Sequence, residues 1–469
     1  MSIRQKVYIL LFILLTVSSL STRFWRLGFW SFSGDELATK VEMKSLLSKS
    51  FFEYKNIYDA LPRAIPLGYL WNSLFITRKY SEEFTYRLGP AIAGMLAVPI
   101  IFLMASRLSG ITFGLLLSLS LIVSRWHILF AQYSRFYSLA FLLCSISLLS
   151  FCLAFKEDSW KWGLLAGFTA GLSSLTHTVS SLVFMLEMVG ITAVFVRKIN
   201  IKRKWLVAFL IPAFLLVGLE SFLFTYFCGF GWNKGATWGY TPIHLLLGIA
   251  SDAGWPIMCF AFLGIIVTFF YNKRDMIKYI FVIWFFLIII LSIIATKLIV
   301  FRQDYIFAIS LPFYALSVFA VCEIGNILES NKKTKIAMAL YLTFLSLPLP
   351  SLASYYQDGQ RFNWRQAAQI LENNVTSTEI VYATAPGNLK YYLKTDMKIL
   401  PFKSLNELKQ NCKIYNARCW VVVNYGRSGL SNNLRKWLDI NGNRLAHIVK
   451  KRFDYYQFVI DIYFLKRNL

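Results

Sequence analysis

Long apolar runs alternate with short polar segments over about the first 350 residues of the chain. A membrane-spanning helix needs roughly 20 apolar residues, so runs of this length predict about eleven spans. The runs lie at residues 7–22, 88–107, 111–124, 138–155, 161–176, 179–196, 205–227, 253–271, 277–298, 305–324 and 336–352. We therefore predict a mainly α-helical, polytopic membrane protein.

Charge in the loops orients these spans. The segments 197–204, 272–278 and 331–335 are rich in Lys and Arg. Because cytoplasmic loops carry an excess of positive charge, these segments predict a cytoplasmic N-terminus. The loop 23–87, the segment 124–137 and everything after about residue 353 would then lie on the outer face of the cytoplasmic (inner) membrane.

The pattern changes after the last apolar run. Residues 353–469 are more polar than the predicted transmembrane domain, residues 1–352. Strands alternating with helices are typical of a small α/β domain, here soluble and extracytoplasmic. The strand-like runs are 379–384, 419–424 and 456–461, with a helical stretch at 364–371.

The amino-acid composition is typical of a membrane protein, and two of its cysteines are candidates for a disulfide. The chain is 57% hydrophobic and 17% aromatic, with mean hydropathy +0.53. The formal net charge of +25 fits cytoplasmic-loop bias and attraction to the lipid bilayer. No nucleic-acid-binding motif accompanies the charge, so we expect no nucleic acid partner. Cys412 and Cys419 could form a disulfide if the C-terminal domain is extracytoplasmic.

The first outer loop predicts two helices. Residues 35–49 would form an amphipathic helix on the membrane face. A proline-containing break over residues 62–66 precedes an interfacial aromatic helix at 67–71. The apolar side of the amphipathic helix would consist of Leu37, Val41, Leu46 and Leu47.

Two adjacent carboxylates, Asp35 and Glu36, lie in this loop just beyond the first span. Ionisable groups near a bilayer are costly and are candidates for function. Ser33-Gly34-Asp35 is also ordinary helix N-cap chemistry, so a structural interpretation stands beside the functional one.

Several arginines share the predicted outer face with this pair. Each alone could snorkel from a helix end to the lipid head groups, but that face should be poor in positive charge. Because arginine binds phosphate bidentately, the group predicts a phosphate site. The candidate substrate-binding residues are Arg63, Arg87, Arg135, Arg302, His127, Gln132, Tyr137 and Tyr305.

The order of these segments resembles the GT-C class of polyprenyl-phosphate-sugar glycosyltransferases. More narrowly, it is similar to relatives of the protein O-mannosyltransferases and of the lipid A aminoarabinose transferase. Tyr133 stands where an acid is common in the family, and Ala64-Ile65-Pro66 replaces a His-Pro-Pro or Lys-Pro motif. The matching positions are Asp35-Glu36 in the first loop, Arg87-Leu88-Gly89-Pro90 at the second span, Ala131 to Leu139 before the fourth span, and, loosely, Arg302, Tyr305 and Pro312.

The resemblance implies inverting transfer of a hexose or pentose. The donor would be a polyprenyl-phosphate sugar, and the acceptor a hydroxyl of a glycolipid, polysaccharide or protein. Asp35 would be the general base, and Glu36 would orient Asp35 or an arginine. Glu36 could also share a divalent cation, although two carboxylates without a third ligand make a poor metal site. No other cofactor is expected.

Other functions remain open from the sequence. Glu187 and Glu220 lie within apolar runs, and such acids can mark an ion pathway in a transporter. No inverted repeat supports this function. A ligase or polymerase of surface polysaccharide and a non-catalytic assembly protein are further alternatives.

Overall fold

The structure is a computed structural model. It describes residues 2–48, 66–199, 203–228, 241–271, 275–299, 301–359, 361–376, 379–402, 404–415, 419–425, 432–448 and 458–465. Its contacts divide the chain into two compact units. The membrane unit is Met1–Gly28 with Glu42–Ala353, and the C-terminal unit is Phe29–Val41 with Ser354–Leu469.

Helices form most of the described residues up to Asp358. Two 3-10 helices, Thr178–Ser181 and Gln303–Ile309, interrupt them. The α-helices are α1 (Ile3–Phe24), α2 (Gly34–Ser48), α3 (Pro66–Ser73), α4 (Glu82–Ser109), α5 (Ile111–Val123), α6 (Arg125–Ala131), α7 (Tyr137–Glu157), α8 (Trp160–Ser174), α9 (Leu182–Val196), α10 (Arg203–Cys228), α11 (Pro242–Ala253), α12 (Trp255–Tyr271), α13 (Met276–Leu298), α14 (Leu311–Ser330), α15 (Thr334–Ser346) and α16 (Leu349–Asp358).

The protein is a multi-pass membrane protein. Among the described residues, eight helices are long and apolar enough to cross a membrane, or up to ten segments if two bent pairs count as one span each. The pair α5 and α6 bends by 64°, and the pair α11 and α12 by 101°. Gly254, between α11 and α12, has φ 97°, a backbone region that glycine adopts without steric cost.

The predicted number of about eleven spans is not reached in the described part of the chain. The predicted span 161–176 corresponds to α8, which has only 15 residues. The predicted span 305–324 begins later, because Gln303–Ile309 forms a 3-10 helix and α14 starts at Leu311. Apolar composition alone does not distinguish a 3-10 helix from an α-helix.

A stripe of glycines brings α8 against α10. A Cβ at Gly167 would lie 2.0 Å from the carbonyl oxygen of Phe209. Small residues let the backbones of membrane helices approach closely. Successive glycines meet successively later residues of α10, so the two helices run parallel. The contacts are Gly163 to Trp205, Gly167 to Phe209 and Gly171 to Leu216.

The C-terminal unit contains a small mixed sheet, in agreement with the predicted α/β pattern. The strand order is β2-β1-β3-β5-β4. β1 is parallel to β2 and β3, whereas β5 is antiparallel to β3 and β4. The elements are α17 (Trp364–Asn374), β1 (Ile380–Ala383), α18 (Pro386–Tyr392), β2 (Lys398–Pro401), α19 (Leu405–Tyr415), β3 (Cys419–Tyr425), α20 (Asn432–Asn441), β4 (Gly442–Ile448) and β5 (Val459–Leu465).

Both faces of this sheet are covered. Val381 and Val422 pack in one apolar cluster with residues of α17 and α18. Tyr382 and Val421 pack in a second cluster with residues of α19 and α20. Side chains alternate between the faces of a strand, so continuous apolar strands require two covering layers. The unit is thus a three-layer α/β/α arrangement.

The disulfide stays a prediction. Cys419 is buried at the first position of β3. The side chain of Cys412, in α19, lies outside the described residues.

Candidate active site

The carboxylate pair begins α2, and its two members differ. The Ser33 N–H donates to Glu36 Oε2 at 2.9 Å, and the Glu36 N–H donates to Ser33 Oγ at 3.3 Å. This reciprocal capping box satisfies two donors at the start of the helix. Glu36 is fully buried, whereas Asp35 is half-buried. The capping interpretation therefore describes Glu36, with Ser33 as its partner.

Glu36 also forms a buried ion pair. Its Oε2 lies 3.4 Å from Arg361 Nε, and the side chains are 0% and 2% exposed. A buried carboxylate needs such a partner to offset the loss of its hydration. Glu36 therefore links the start of α2 to the residues that precede α17.

The buried side of α2 carries several polar residues beside Met43, which differs from the predicted apolar side; the side chains of Leu46 and Leu47 lie outside the described residues. Val41, predicted on the apolar side, is 62% exposed, while Glu36, Thr39 and Lys40 are buried. Lys40 Nζ donates to the Tyr391 hydroxyl at 3.2 Å and lies 4.4 Å from the centre of that ring. Polar side chains of α2 can be buried because they find hydrogen-bond or ion-pair partners there.

The C-terminal unit holds a small cavity next to this ion pair. Its volume is about 180 Å³, below the range of sites for drug-sized ligands. Arg361 lines the cavity with one part of its side chain and pairs with Glu36. The lining residues are Phe29, Trp30, Ser31, Arg361, Phe362, Asn363 and Arg365.

In the membrane unit, Arg135 belongs to a buried polar group. Arg135 Nη1 lies 3.9 Å from Glu42 Oε2, and the Tyr69 hydroxyl donates to the same carboxylate oxygen. The Arg135 guanidinium also lies 5.0 Å from the centre of the Phe136 ring. Glu42 therefore balances the charge of Arg135. Sequence reasoning missed Glu42 and Tyr69, because neither has a local motif.

Two predicted residues, Tyr137 and Tyr305, meet around His177. The His177 ring lies 5.2 Å from that of Tyr137 and 6.0 Å from that of Tyr305, centre to centre. Phe136, next to Arg135, is 5.2 Å from the same imidazole. We call these residues the His177 cluster. The structure thus brings the neighbourhoods of Arg135, Tyr137 and Tyr305 together, with a histidine that the sequence did not single out.

His127 and Gln132 serve the end of α1 instead. Arg23 Nη2 lies 2.9 Å from His127 Nδ1. Because arginine only donates, Nδ1 accepts and the ring proton is on Nε2. Gln132 Nε2 donates to the carbonyls of Arg23 and Trp25 at 3.0 and 2.7 Å. Both predicted residues therefore satisfy groups at a helix terminus.

The remaining predicted arginines have different surroundings. Arg87 is fully buried, and its Nη1 donates to the Leu27 carbonyl at 3.1 Å. Arg302 forms an ion pair with Asp304 and is near Tyr305 in sequence. Arg63 lies outside the described residues. Arg302 is linked to the His177 cluster through its backbone, because the Tyr305 N–H donates to the Arg302 carbonyl at 3.1 Å.

A further buried ion pair, in the membrane unit, joins the two bent helix pairs. Arg125 Nη2 lies 3.1 Å from Asp252 Oδ1, with both side chains at most 5% exposed. Gln303 Nε2 donates to Asp252 Oδ2 at 3.0 Å. The group connects the start of α6, the end of α11 and the 3-10 helix that follows Arg302.

The fold has known counterparts among solved structures. ArnT from Cupriavidus metallidurans in the apo state is 13% identical, with TM-score 0.53 and coverage of 98% of both chains. The same protein bound to undecaprenyl phosphate matches with TM-score 0.52 at 13% identity, covering 96% of this chain and 97% of that one. The chain has the fold of GT-C membrane glycosyltransferases.

A third counterpart has this fold within a longer chain. The Archaeoglobus fulgidus oligosaccharyltransferase AglB, in complex with an inhibitory peptide and a dolichol-phosphate, is 10% identical with TM-score 0.59. The match covers 98% of this chain and 74% of AglB. No protein-family profile and no curated protein matches the sequence. At such low sequence identity, the structural similarity establishes the fold alone.

The carboxylate pair does not fit a divalent cation. The Archaeoglobus enzyme has been solved in complex with Zn and sulfate. In the described part of this chain, no group of three or more His, Cys, Asp or Glu residues is placed to hold a metal ion. Glu36 Oε2 already accepts from Ser33 and pairs with Arg361, and a cation there would face the Arg361 charge.

Proposed function

We propose that the chain is an integral membrane glycosyltransferase. It transfers a sugar from a polyprenyl-phosphate donor to an acceptor hydroxyl on the outer face of the membrane. The observation that carries the proposal is the GT-C fold shared with ArnT over 98% of both chains, the C-terminal unit included. Undecaprenyl phosphate in ArnT and dolichol-phosphate in AglB support a donor of the same lipid-phosphate class.

Asp35 is the proposed general base. It removes the proton of the acceptor hydroxyl while the oxygen attacks the anomeric carbon of the donor. The bond from that carbon to the phosphate oxygen breaks, and the polyprenyl phosphate leaves with the electron pair, so the anomeric configuration inverts. The half-buried position of Asp35 supports this role, because Glu36 is fully buried and engaged with Ser33 and Arg361.

Arg135 and Arg302 are the proposed stabilisers of the leaving phosphate. Arg135 lies over the Phe136 ring and the Arg302 carbonyl accepts from the Tyr305 N–H, so each contacts one residue of the His177 cluster. Guanidinium groups stabilise phosphate charge through charge-assisted hydrogen bonds. Arg87 differs from these two, because its Nη1 donates to the Leu27 backbone carbonyl.

A transfer assay tests the proposal. Membranes containing the protein are incubated with a panel of radiolabelled polyprenyl-phosphate sugars, and the labelled product is identified as glycolipid, polysaccharide or protein. Wild type and the control Asp396→Asn, an exposed carboxylate in the C-terminal unit, should label an acceptor. Asp35→Asn should be slower by a factor on the order of 10²–10⁴.

Two outcomes would contradict the proposal. Near wild-type transfer by Asp35→Asn would remove Asp35 as the base. If no donor labels any acceptor while the purified protein catalyses counterflow of a solute in vesicles, the transporter is the better function.

A further inference from the structure

A basic groove lies where α8 and α10 begin. The groove is shallow and open to its surroundings, with a volume of about 560 Å³. The groove is lined by Trp160, Arg203, Lys204, Val207 and Ala208. It is formed within the membrane unit and includes none of the residues assigned to transfer.

Two exposed apolar ridges extend from the groove along the helices. Residues four apart lie on the same face of a helix, and both ridges follow this spacing. Their exposed fractions run from 44% to 68%. The ridges are Trp160, Leu164 and Phe168 on α8 and Val207, Ile211 and Leu215 on α10. Because the glycine stripe holds the two helices close and parallel, the ridges run side by side.

Positive charge is concentrated at one end of these ridges. Arg203 and Lys204 are exposed in the first turn of α10, and Lys161 is exposed in the first turn of α8. The parallel helices also present both N-termini there, where the helix dipoles favour an anion. Among the described residues that line the groove there is no carboxylate. The surface therefore combines an anion-attracting end with an apolar strip.

We propose that this groove binds an anionic phospholipid of the bilayer. The phosphate contacts Arg203 and Lys204, and one acyl chain lies along the ridges. Basic pockets between membrane helices suit anionic head groups, and Trp160 suits the interface between head groups and acyl chains. A 15-residue helix is about 22 Å long, so α8 separates this groove from His177, which follows its other end.

Native mass spectrometry of the full-length protein in detergent tests the assignment. Purified protein is titrated with dioleoylphosphatidylglycerol or, as the neutral-head-group control, dioleoylphosphatidylcholine. Phosphatidylglycerol should bind more tightly. The double variant Arg203→Gln/Lys204→Gln should weaken its binding on the order of tenfold to thirtyfold. The control Lys333→Gln/Lys335→Gln, with the same charge change at another exposed basic segment, should bind like wild type.

A charge-preserving variant guards against misfolding. Arg203→Lys/Lys204→Arg should keep the preference for phosphatidylglycerol, and all variants are checked for a single symmetric peak in size-exclusion chromatography. The proposal is overturned if wild type binds the two lipids equally, or if both double-glutamine variants lose the same affinity. It is also overturned if undecaprenyl phosphate displaces phosphatidylglycerol at equal concentration and Arg203→Gln/Lys204→Gln abolishes its binding, because the groove would then belong to the transfer reaction.

Discussion

Neighbouring residues at the start of α2 have separate tasks. Glu36 caps the helix and pairs with Arg361, whereas the half-buried Asp35 is the proposed base. A change at Glu36 should therefore act mainly on stability, and a change at Asp35 mainly on the rate of transfer.

Glu36→Gln should lower the free energy of unfolding by about 3–5 kcal/mol, because the buried Arg361 charge loses its carboxylate. The measurement is the unfolding transition of the purified protein, followed by tryptophan fluorescence. Asp35→Asn, one residue away, should unfold like wild type. The double variant Glu36→Leu/Arg361→Met should recover most of the loss. Equal transitions for wild type and Glu36→Gln would show that the pair does not stabilise the unit.

Arg302→Gln should lower kcat/KM for the lipid-linked donor by a factor of about 10²–10³, the usual effect of removing one group that stabilises transition-state charge. Single-turnover transfer per folded molecule measures it. Arg87→Gln is the comparison, since this arginine donates to the Leu27 carbonyl; it should reduce the folded fraction and leave the rate per folded molecule near wild type. If Arg87→Gln instead slowed transfer and Arg302→Gln only reduced the folded fraction, Arg87 would be the residue that stabilises the phosphate.

The role of Glu36 shows what the sequence does and does not reveal about such residues. The spacing Ser33-x-x-Glu36 is a readable capping-box signature. Its other partner, Arg361, is far along the chain and has no local signal. The same holds for Glu42 and Tyr69 around Arg135, because their meeting depends on tertiary packing.

At the scale of the elements, close packing of α8 on α10 depends on glycines, which have no side chain beyond a hydrogen atom. Gly167→Leu should destabilise the protein by about 1–3 kcal/mol or more, since its Cβ would lie 2.0 Å from the Phe209 carbonyl oxygen. Yield of monodisperse protein and the unfolding transition measure this effect. Gly218→Ala on α10 is the control, because a Cβ there has no atom within 4 Å. Comparable losses in both variants would contradict the packing argument.

Most helices and strands can be predicted from the sequence where one strong hydrophobic pattern is present. Among the described residues, eight of the long apolar runs coincide with helices long and apolar enough to cross a membrane, and β1 and β3 lie at the predicted strand positions. The 3-10 helix Gln303–Ile309 escapes prediction because its apolar residues continue into α14. The orientation of α2 escapes because its polar residues find buried partners, which outweigh the pattern of Leu37 and Val41.

For the molecule as a whole, loop charge leads to a testable topology. Alkaline phosphatase, active only outside the cytoplasm, should be active when fused after Leu469. It should be inactive when fused after Lys333, in the basic segment between α14 and α15. Fusions of a cytoplasmically active reporter at the same two positions are the control. An inverted pattern would place the proposed transfer on the cytoplasmic side.

The C-terminal unit is built from two segments that are far apart in the chain, and this determines when it can fold during synthesis. The unit joins Phe29–Val41, made before α4, to Ser354–Leu469, made after α15. At about 5–20 residues per second, the roughly 300 intervening residues take on the order of 15–60 s to translate. The partners that Glu36 finds at Arg361 and Lys40 finds at Tyr391 do not exist during this interval. The spans between them therefore enter the membrane first, and the segment that carries Asp35 completes its folding last.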